Sequence, residues 1–344
     1  MIRLECDYAE GAHERVLRRL FETNLEQTPG YGEDLYCARA REYIQQLCQR
    51  EGIDVHFLVG GTQTNTTVIA AALRPHQGVI AATSGHINVH ETGAIEATGH
   101  KVLAVPSADG KLTGREVRRV YESHWQDATR EHMVQPGMVY ISFPTEIGSL
   151  YTKKELKELS AACHENGIPL YIDGARMGYG LTSPDADVTL QDIASLCDMF
   201  YIGGTKCGAV MGEALVITNP ALKEGFRYTI KQHGGLLAKG RYLGIQFDVL
   251  FEDDLYFTIC KKAVEQSMAI RRAFEEKGIQ MDSDSSTNQQ FPILTREQMD
   301  KLAQKYSYEI WEEYDETHTV VRFCTSWATQ DQNVQQLLED IRAL

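Results

Sequence analysis

The sequence predicts an α/β fold, in which a large domain with a mainly parallel sheet is followed by a smaller α+β C-terminal domain. From about residue 55, short apolar segments of strand character alternate with segments of helical spacing, a pattern typical of a parallel sheet covered by helices. After about residue 250, one long amphipathic segment precedes several short strands and a closing helix. The length of 344 residues corresponds to roughly two domains of about 150 residues each.

The elements of the large domain follow one another regularly. The predicted strands cover residues 56–59, 79–83, 102–105, 139–143, 169–173 and 199–202. A glycine turn at Gly60-Gly61-Thr62 separates the first strand from a predicted helix over 65–73. Thr152 and Glu155 have the spacing of a capping box, and the helix that they begin ends at Asn166-Gly167.

The C-terminal part has a different pattern. It contains a predicted helix over 259–277, strands near 278–281, 309–311 and 319–325, and a closing helix over 333–344. We expect an N-terminal segment over 1–15 that packs on the domains, a large domain over 16–250 and a small domain over 251–344.

Composition argues against several classes of partner. Lys and Arg number 34 against 48 Asp and Glu, which gives a formal net charge of −14. Such a surface repels phosphate backbones and anionic lipids, so we expect neither nucleic acid nor a membrane as a partner. No apolar run approaches the ~18 residues of a membrane span, and the N-terminus lacks the apolar core of a secretion signal.

The eight cysteines show no metal-ligand spacing, which indicates reduced thiols in a cytoplasmic protein without a metal site.

Four polar motifs follow predicted strands, where open α/β sheets bind ligands. Gly60-Gly61-Thr62 precedes a helix whose N-terminus suits a phosphate, although a tight turn between strand and helix needs glycines anyway. Asp173 ends an apolar strand, and Lys206 follows another within a glycine-rich turn. His86 follows a third strand. Alternatively, Lys206 is an ordinary surface lysine and His86 has only a structural role. The motifs GxGxxG and GxxxxGK[ST] are absent, which argues against nicotinamide and nucleoside-triphosphate binding.

Together, these residues match the needs of pyridoxal 5'-phosphate (PLP). Its phosphate suits a helix N-terminus, and its ring suits a flat partner such as His86. Its pyridine nitrogen requires a carboxylate such as Asp173, and its aldehyde requires a lysine such as Lys206.

The segments GGTQTN, SGHINVHETGAIE, YIDGARMG, YIGGTKCGA and VVRFCTSW occur in this order. Their order and content resemble the threonine aldolase family, which is grouped with the β-eliminating lyases among the fold-type I PLP enzymes. The resemblance implies an aspartate aminotransferase-like fold. It also implies a homodimer or a homotetramer built from dimers, with active sites at the subunit interface. We expect the glycine-rich loop over 28–36 to reach the cofactor site of a neighbouring subunit.

The resemblance also implies roles for the cofactor-binding residues. Lys206 corresponds to the Schiff-base lysine, Asp173 to the partner of the pyridine nitrogen, and His86 to the histidine that stacks on the ring. Within Gly60-Gly61-Thr62, Gly61 and Thr62 correspond to phosphate ligands and Gly60 shapes the turn. Thr205 is expected to add a hydroxyl to the phosphate or the ring.

The substrate side is implied in the same way. Arg176, which also borders the cofactor, and Arg322 correspond to the pair that holds the substrate α-carboxylate, a task that suits the guanidinium fork. The chain departs from the family at Tyr8, where a serine usually follows the aspartate, and at Glu146, where the family commonly has a histidine nearby. Glu146 either replaces that histidine, or faces solvent or caps a turn.

These roles lead to an expected activity. The chain is expected to cleave a β-hydroxy-α-amino acid, such as L-threonine or L-allo-threonine, into glycine and an aldehyde. The catalytic base is left open among His86, Glu91, Glu146 and a water molecule. The alternatives are β-elimination or racemisation on the same scaffold, and a relative without catalysis. The presence of Lys206 and Asp173 argues against a relative without catalysis.

Overall fold

The computed structural model describes residues 1–344. Its strands are β1 (Ile2–Arg3), β2 (Asp54–Leu58), β3 (Gln77–Ala82), β4 (Val102–Val105), β5 (Gln135–Ser142), β6 (Leu170–Asp173), β7 (Met199–Gly203), β8 (Glu213–Ile217), β9 (Gln289–Gln290), β10 (Ile293–Thr295), β11 (Tyr306–Ser307), β12 (Glu309–Glu313) and β13 (His318–Cys324). Its helices are α1 (Glu14–Glu22), α2 (Leu35–Cys48), α3 (Gly61–Ala72), α4 (His86–Val89), α5 (Ala94–Ala97), α6 (Gly114–Gln126), α7 (Lys153–Glu165), α8 (Met177–Leu181), α9 (Leu190–Leu196), α10 (Phe226–Gln232), α11 (Arg241–Phe251), α12 (Leu255–Glu276), α13 (Arg296–Leu302) and α14 (Asp331–Arg342).

The central sheet has seven strands in the order β2-β8-β7-β6-β5-β3-β4. All neighbouring pairs are parallel except those of β8, which runs antiparallel to both β2 and β7. The six strands predicted for the large domain are all present, and the mainly parallel α/β architecture is confirmed. The reversed strand β8 is the member of this sheet that the sequence analysis missed.

Both faces of the sheet are covered. Along β6, Leu170 and Ile172 pack into one hydrophobic cluster, and Tyr171 between them packs into a second cluster on the other face. This alternation follows from the two-residue period of a strand. Parallel strands are typically buried on both sides, which explains why the predicted strands are nearly continuous apolar runs.

The predicted capping box is also confirmed. The Thr152 side chain accepts a hydrogen bond from the backbone N–H of Glu155 at the start of α7, and the Glu155 side chain accepts one from the Thr152 N–H. The helix ends at Glu165, with Asn166 as its C-cap. Gly167 follows with φ of +63°, a conformation that glycine adopts without a steric penalty.

The C-terminal part forms a small antiparallel sheet of β10, β13 and β12, with β9 paired to β13. The long helix and the closing helix are present as α12 and α14. The predicted strand near 278–281 is wrong, because this segment makes only the isolated bridge of Met281 with Pro292. The segment follows directly on α12, where the chain turns into the next loop.

The N-terminal segment contacts the C-terminal part through parallel pairing of β1 with β11 and through Leu4, which joins the cluster around Phe274 and Phe323. Helix α12 supplies apolar residues to the cluster on one face of the central sheet with its first half, and to the C-terminal cluster with its second half. The boundary at residue 250 remains a prediction. No helix combines the length and the apolar character needed to cross a membrane.

Candidate active site

A cavity of about 290 Å³ lies at the edge of the central sheet where parallel strands end. Segments that follow β2, β3, β5, β6 and β7 contribute to its walls. This is the edge at which open α/β sheets bind ligands. The predicted site residues that line it are Tyr8, Gly60, Gly61, Thr62, His86, Glu146, Asp173, Arg176, Thr205 and Lys206. Arg322 and Glu91, one of the candidate bases, lie outside this lining.

Asp173 is buried in the cavity wall at the end of β6, with 4% of its surface exposed. Its Oδ1 accepts a hydrogen bond from the hydroxyl of Tyr201. Its Oδ2 accepts one from the hydroxyl of Tyr140 at 2.7 Å and one from the amide of Asn65 at 3.1 Å. Burial alone would raise the pKa of Asp173, but the charge of His86 and these hydrogen bonds outweigh burial and lower it. The site therefore stabilises an ionised carboxylate.

His86 is connected to the same network. Its Nδ1 lies 2.8 Å from Oε1 of the buried Glu91. That oxygen also accepts a hydrogen bond from the Asn65 amide at 2.7 Å, and the same amide contacts Asp173. Asn65 thus joins the carboxylates of Glu91 and Asp173, and Glu91 holds the imidazole of His86 in one orientation at the cavity wall.

Lys206 follows β7, and its side chain borders the cavity rather than bulk solvent. Its Nζ lies 5.9 Å from the centre of the Tyr8 ring. Burial and the nearby charge of Arg176 lower the pKa of Lys206, although Asp7 and Asp173 act in the opposite direction. A lysine with a lowered pKa exists more often as the free amine, which is the form that attacks a carbonyl.

Glycine is required for steric reasons directly after β6 and at the last position of β7. A Cβ atom at Gly174 would lie 1.9 Å from the carbonyl oxygen of Tyr201, and one at Gly203 would lie 2.2 Å from that of Ala175. No side chain fits at either position, because the two turns cross in close contact. The motifs DGA and GGT are therefore needed to bring Asp173 and the lysine turn together.

Helix α3 opens onto the cavity. It begins at Gly61, earlier than predicted, and no side chain caps its N-terminus, where Gly60 is the N-cap. The first backbone N–H groups of a helix have no partner within the helix. With the helix dipole, these groups form a site for an anion at the cavity wall.

Arg176 is held by a residue that sequence reasoning did not assign. Its Nε donates to Oδ2 of Asp7 at 2.7 Å, and its Nη2 donates to Oδ1 at 3.1 Å. Asp7 is fully buried and also accepts from Asn288 at 2.9 Å. Burial would raise the pKa of Asp7, but the charges of Arg176 and Lys206 outweigh it and lower the pKa to about 2. This two-pronged ion pair fixes the plane of the guanidinium group at the cavity.

Arg322 lies on β13 and is engaged elsewhere. Its Nη1 donates to Gln289 at 3.0 Å, and its Nη2 donates to the carbonyl oxygen of Glu5 at 3.0 Å. It also forms an ion pair with Glu309 and lies over the Trp311 ring at 5.2 Å. Its buried Nε has no hydrogen-bond partner. The structure does not bring Arg322 into the cavity wall with Arg176, and its role stays a prediction.

Glu146 borders the cavity and caps a turn at the same time. Its Oε1 accepts from the backbone N–H of His86 at 2.9 Å and from the Ser142 hydroxyl at 2.6 Å. Burial is the main reason that the pKa of Glu146 is raised, and these two hydrogen bonds oppose the rise. Glu146 therefore lies at the cavity wall and caps the chain turn at His86, while its replacement of the family's histidine stays a prediction. Tyr8 also lines the cavity, with 55% of its surface exposed.

The chain was compared with known proteins. A family model described as Beta-eliminating lyase matches residues 7–310. The chain belongs to this family. It is 31% identical over 321 residues to a low specificity L-threonine aldolase from Pseudomonas sp. (strain NCIMB 10558), which covers 91% of this chain and 89% of that protein. A solved structure of a threonine aldolase from Leishmania major superposes with a TM-score of 0.97 at 44% identity, covering 100% of this chain and 99% of that chain.

The fold expectation is confirmed as well. An aspartate aminotransferase from Thermus thermophilus superposes with a TM-score of 0.71 at 14% identity, covering 100% of this chain and 92% of that chain. At this identity the likeness concerns the fold alone. The chain therefore has the aspartate aminotransferase-like fold that the family resemblance implied.

Several site residues of this family member were not predicted. They are Asp7, Asn65, Tyr140, Tyr201 and Glu213, all of which touch the predicted residues. Tyr201 stands inside the motif YIGGTK and could have been found by asking what precedes the lysine turn. The register that places Tyr140 beside Tyr171 and near Asp173 is not visible in local sequence.

Proposed function

We propose that this chain is a PLP-dependent carbon–carbon lyase, which cleaves a β-hydroxy-α-amino acid of the threonine type into glycine and an aldehyde. The observation that carries the proposal is one cavity that contains both the lysine amine of Lys206 and the ionised carboxylate of Asp173. Family membership and the threonine aldolases similar to this chain support the choice of reaction.

The residues present fit PLP. The free N–H groups at the start of α3 suit its phosphate. A Cβ atom at Gly61 would lie 3.0 Å from the Tyr201 hydroxyl, so a glycine suits this close approach of the turn to the cavity wall. Asp173 would pair with the pyridine nitrogen, and Lys206 would bind the aldehyde. When bound, PLP supplies an electron sink for the cleavage of the carbon–carbon bond. Asp173 supports this chemistry because an ionised carboxylate keeps a proton on the nitrogen.

The substrate α-carboxylate is proposed to bind Arg176. Two donor groups of Arg176 are used by Asp7, which leaves Nη1 for a ligand. Because Asp7 fixes the guanidinium plane, it determines the direction from which a carboxylate can approach. Arg322 is proposed as the second partner, and its unpaired Nε is the donor that remains for this purpose. Two fixed contacts orient the reacting bond, which is how positioning contributes to rate.

Two groups are proposed as holders of the substrate hydroxyl proton. With Nδ1 of His86 bound to Glu91, its Nε2 is the atom that would exchange the proton with the substrate. The pKa of Glu146 is raised, chiefly by burial, which also suits a group that takes up and releases a proton. Tyr8 is proposed to contact the substrate from the same wall.

We also propose a homodimer or homotetramer with shared active sites. Leu17, Phe21 and Leu25 repeat every four residues along and just beyond α1, and they are 50%, 85% and 91% exposed. Such an apolar row is typical of a surface that a partner covers. Tyr31, in the loop over 28–36, is 47% exposed and is proposed to reach the neighbouring site. Light scattering at assay concentration should give a dimer or tetramer, and a monomer would contradict the proposal.

A cytoplasmic location is proposed on the basis of the cysteines. All eight are free thiols, and all except Cys6 are buried. A free-thiol set of this size suits a reducing compartment. The partner in the reaction is a small amino acid, in keeping with the size of the cavity.

The test is aldehyde release from L-threonine, followed with an aldehyde-reducing enzyme and NADH. Borohydride should bleach the yellow colour of the holoenzyme and leave the reduced cofactor attached covalently to Lys206, and Lys206→Ala should fold but bind no cofactor covalently. Glycine and acetaldehyde in equal amounts would support the lyase. Ammonia with a keto acid would indicate β-elimination instead, and a change of optical rotation without cleavage would indicate racemisation. No reaction and no colour would favour a relative without catalysis.

A further inference from the structure

Glu213 is a buried carboxyl group that the proposed reaction does not use. It begins β8, is 4% exposed and borders the cavity. Its Oε1 lies 3.0 Å from the Thr205 hydroxyl, and its Oε2 accepts from the backbone N–H of Gly204 at 3.2 Å. Glu213 therefore contacts the turn that carries Lys206.

The hydroxyl of Thr205 has a limited number of hydrogen bonds. A hydroxyl donates one and accepts two. Thr205 already accepts one from the backbone N–H of Gly212 at 2.9 Å. If Glu213 is ionised, the Thr205 proton must point to Glu213, and none is left for the cavity. If Glu213 is protonated, it donates to Thr205 instead, and the Thr205 proton is free to point into the cavity.

We propose that Glu213 is a protonated hydrogen-bond donor to Thr205, and that it thereby turns the Thr205 hydroxyl towards the phosphate of the cofactor. The inference rests on the proposed function, because it assumes that PLP binds in this cavity. In this arrangement Thr205 contacts the phosphate directly. Glu213 is a positioning residue, which acts only through Thr205.

The surroundings of Glu213 favour the protonated form. Burial raises the pKa of Glu213 to about 8, with a further contribution from Asp173, while the contact with Thr205 and the charge of Lys206 oppose the rise. On β2, the apolar Leu58 lies opposite Glu213. The titratable groups that face Glu213 from neighbouring strands and turns are those of Lys206, Asp173, Tyr171 and Tyr201. Glu213 therefore holds its proton at pH 7 and loses it as the pH rises to 9.

The test separates the phosphate from the rest of the cofactor. The dissociation constants of PLP and of pyridoxal, which lacks the phosphate, are measured with the full-length chain freed of cofactor, at pH 7 and pH 9. The ratio of the pyridoxal constant to the PLP constant reports the phosphate contribution. Titration of Lys206 affects both ligands, and the closure of free pyridoxal onto its own hydroxyl is the same for every variant, so comparison with the variants isolates the phosphate contact. The phosphate itself is already doubly charged above its second pKa of about 6.

In the wild-type chain the ratio should fall about tenfold from pH 7 to pH 9. A change of this size corresponds to the free energy of one hydrogen bond to a charged group. Glu213→Gln should abolish this fall, because an amide donates to Thr205 at both pH values. Thr205→Val should lower the ratio at pH 7 and remove its pH dependence, and Thr205→Ser should restore both. Glu146→Gln is the matched control, since it neutralises another cavity carboxyl group that does not touch Thr205, and it should keep the fall.

A double variant distinguishes hydrogen bonding from plain repulsion. In the Thr205→Val background, Glu213→Gln should leave the ratio at pH 9 unchanged. A rise there would show that the charge of Glu213 acts without Thr205, which would overturn the proposal. A wild-type ratio that is equal at both pH values would also overturn it while leaving the proposed function intact. Failure of the wild-type chain to bind PLP would overturn the proposed function and this inference together.

Discussion

The buried pair of Asp7 and Arg176 allows a quantitative prediction for Asp7→Asn. Folding lowers the pKa of Asp7 from 3.8 to about 2. At about 1.36 kcal/mol per pKa unit, a lowering of this size corresponds to roughly 2 kcal/mol of stability. Because the folded-state pKa is depressed, the contribution is complete well above pH 3.8 and is lost as the pH falls through about 2. Removing the charge should therefore lower the free energy of unfolding by ~2 kcal/mol at pH 7.

Urea unfolding of both proteins at pH 7 and pH 3 tests this prediction. By the same linkage relation, the difference between them should shrink to roughly half at pH 3, and other titrating groups cancel in the comparison. Asp54→Asn is the control, because Asp54 is a half-exposed partner of Lys223 and its loss should cost less than about 1 kcal/mol. Equal stability of Asp7→Asn and wild type at pH 7, or a gap that does not shrink at pH 3, would refute the reasoning.

Three further predictions concern catalysis. Glu146→Gln should lower kcat for threonine cleavage by about 10²-fold with little change in cofactor affinity, if Glu146 is the base; an unchanged kcat leaves His86 or a water in that role. Arg322→Lys should mainly raise KM, because lysine lacks the Nε–H donor that is proposed to contact the substrate carboxylate; a fall confined to kcat would contradict this. Tyr201→Phe removes a hydrogen bond that stabilises ionised Asp173, so the pKa of Asp173 should rise, and the absorbance of the bound cofactor should shift at a higher pH than in wild type. A spectrum with the same pH dependence would argue against this coupling.

Much of the candidate site was predictable because its parts follow parallel strands. Asp173 ends β6 and Lys206 follows β7, and adjacent parallel strands bring their carboxyl ends to one edge of the sheet. Local sequence therefore suffices to place these two residues together. Arg322 lies on β13 of a separate sheet, so its distance from the cavity depends on how the C-terminal part packs.

Two of the elements that were missed, α11 and β8, lack a local signal. In α11, every residue except Tyr242 is buried, so the helix has no polar face and no amphipathic period to detect. The strand β8 is a fully buried run of five residues, which periodicity cannot distinguish from a short helix. In both cases the surroundings, rather than the local pattern, select the structure.

The sequence by itself determined the fold class, the family and the chemical types at the site, because glycine turns, strand-ending carboxylates and a lysine in a tight turn are local patterns. Only the tertiary structure decided the partners of those groups. Asp7 meets Arg176 across 169 residues of chain, and Glu213 meets Thr205 because β8 runs back beside β7. Such contacts depend on strand register and packing, which no local pattern encodes, and they set the charge states on which the proposed chemistry depends.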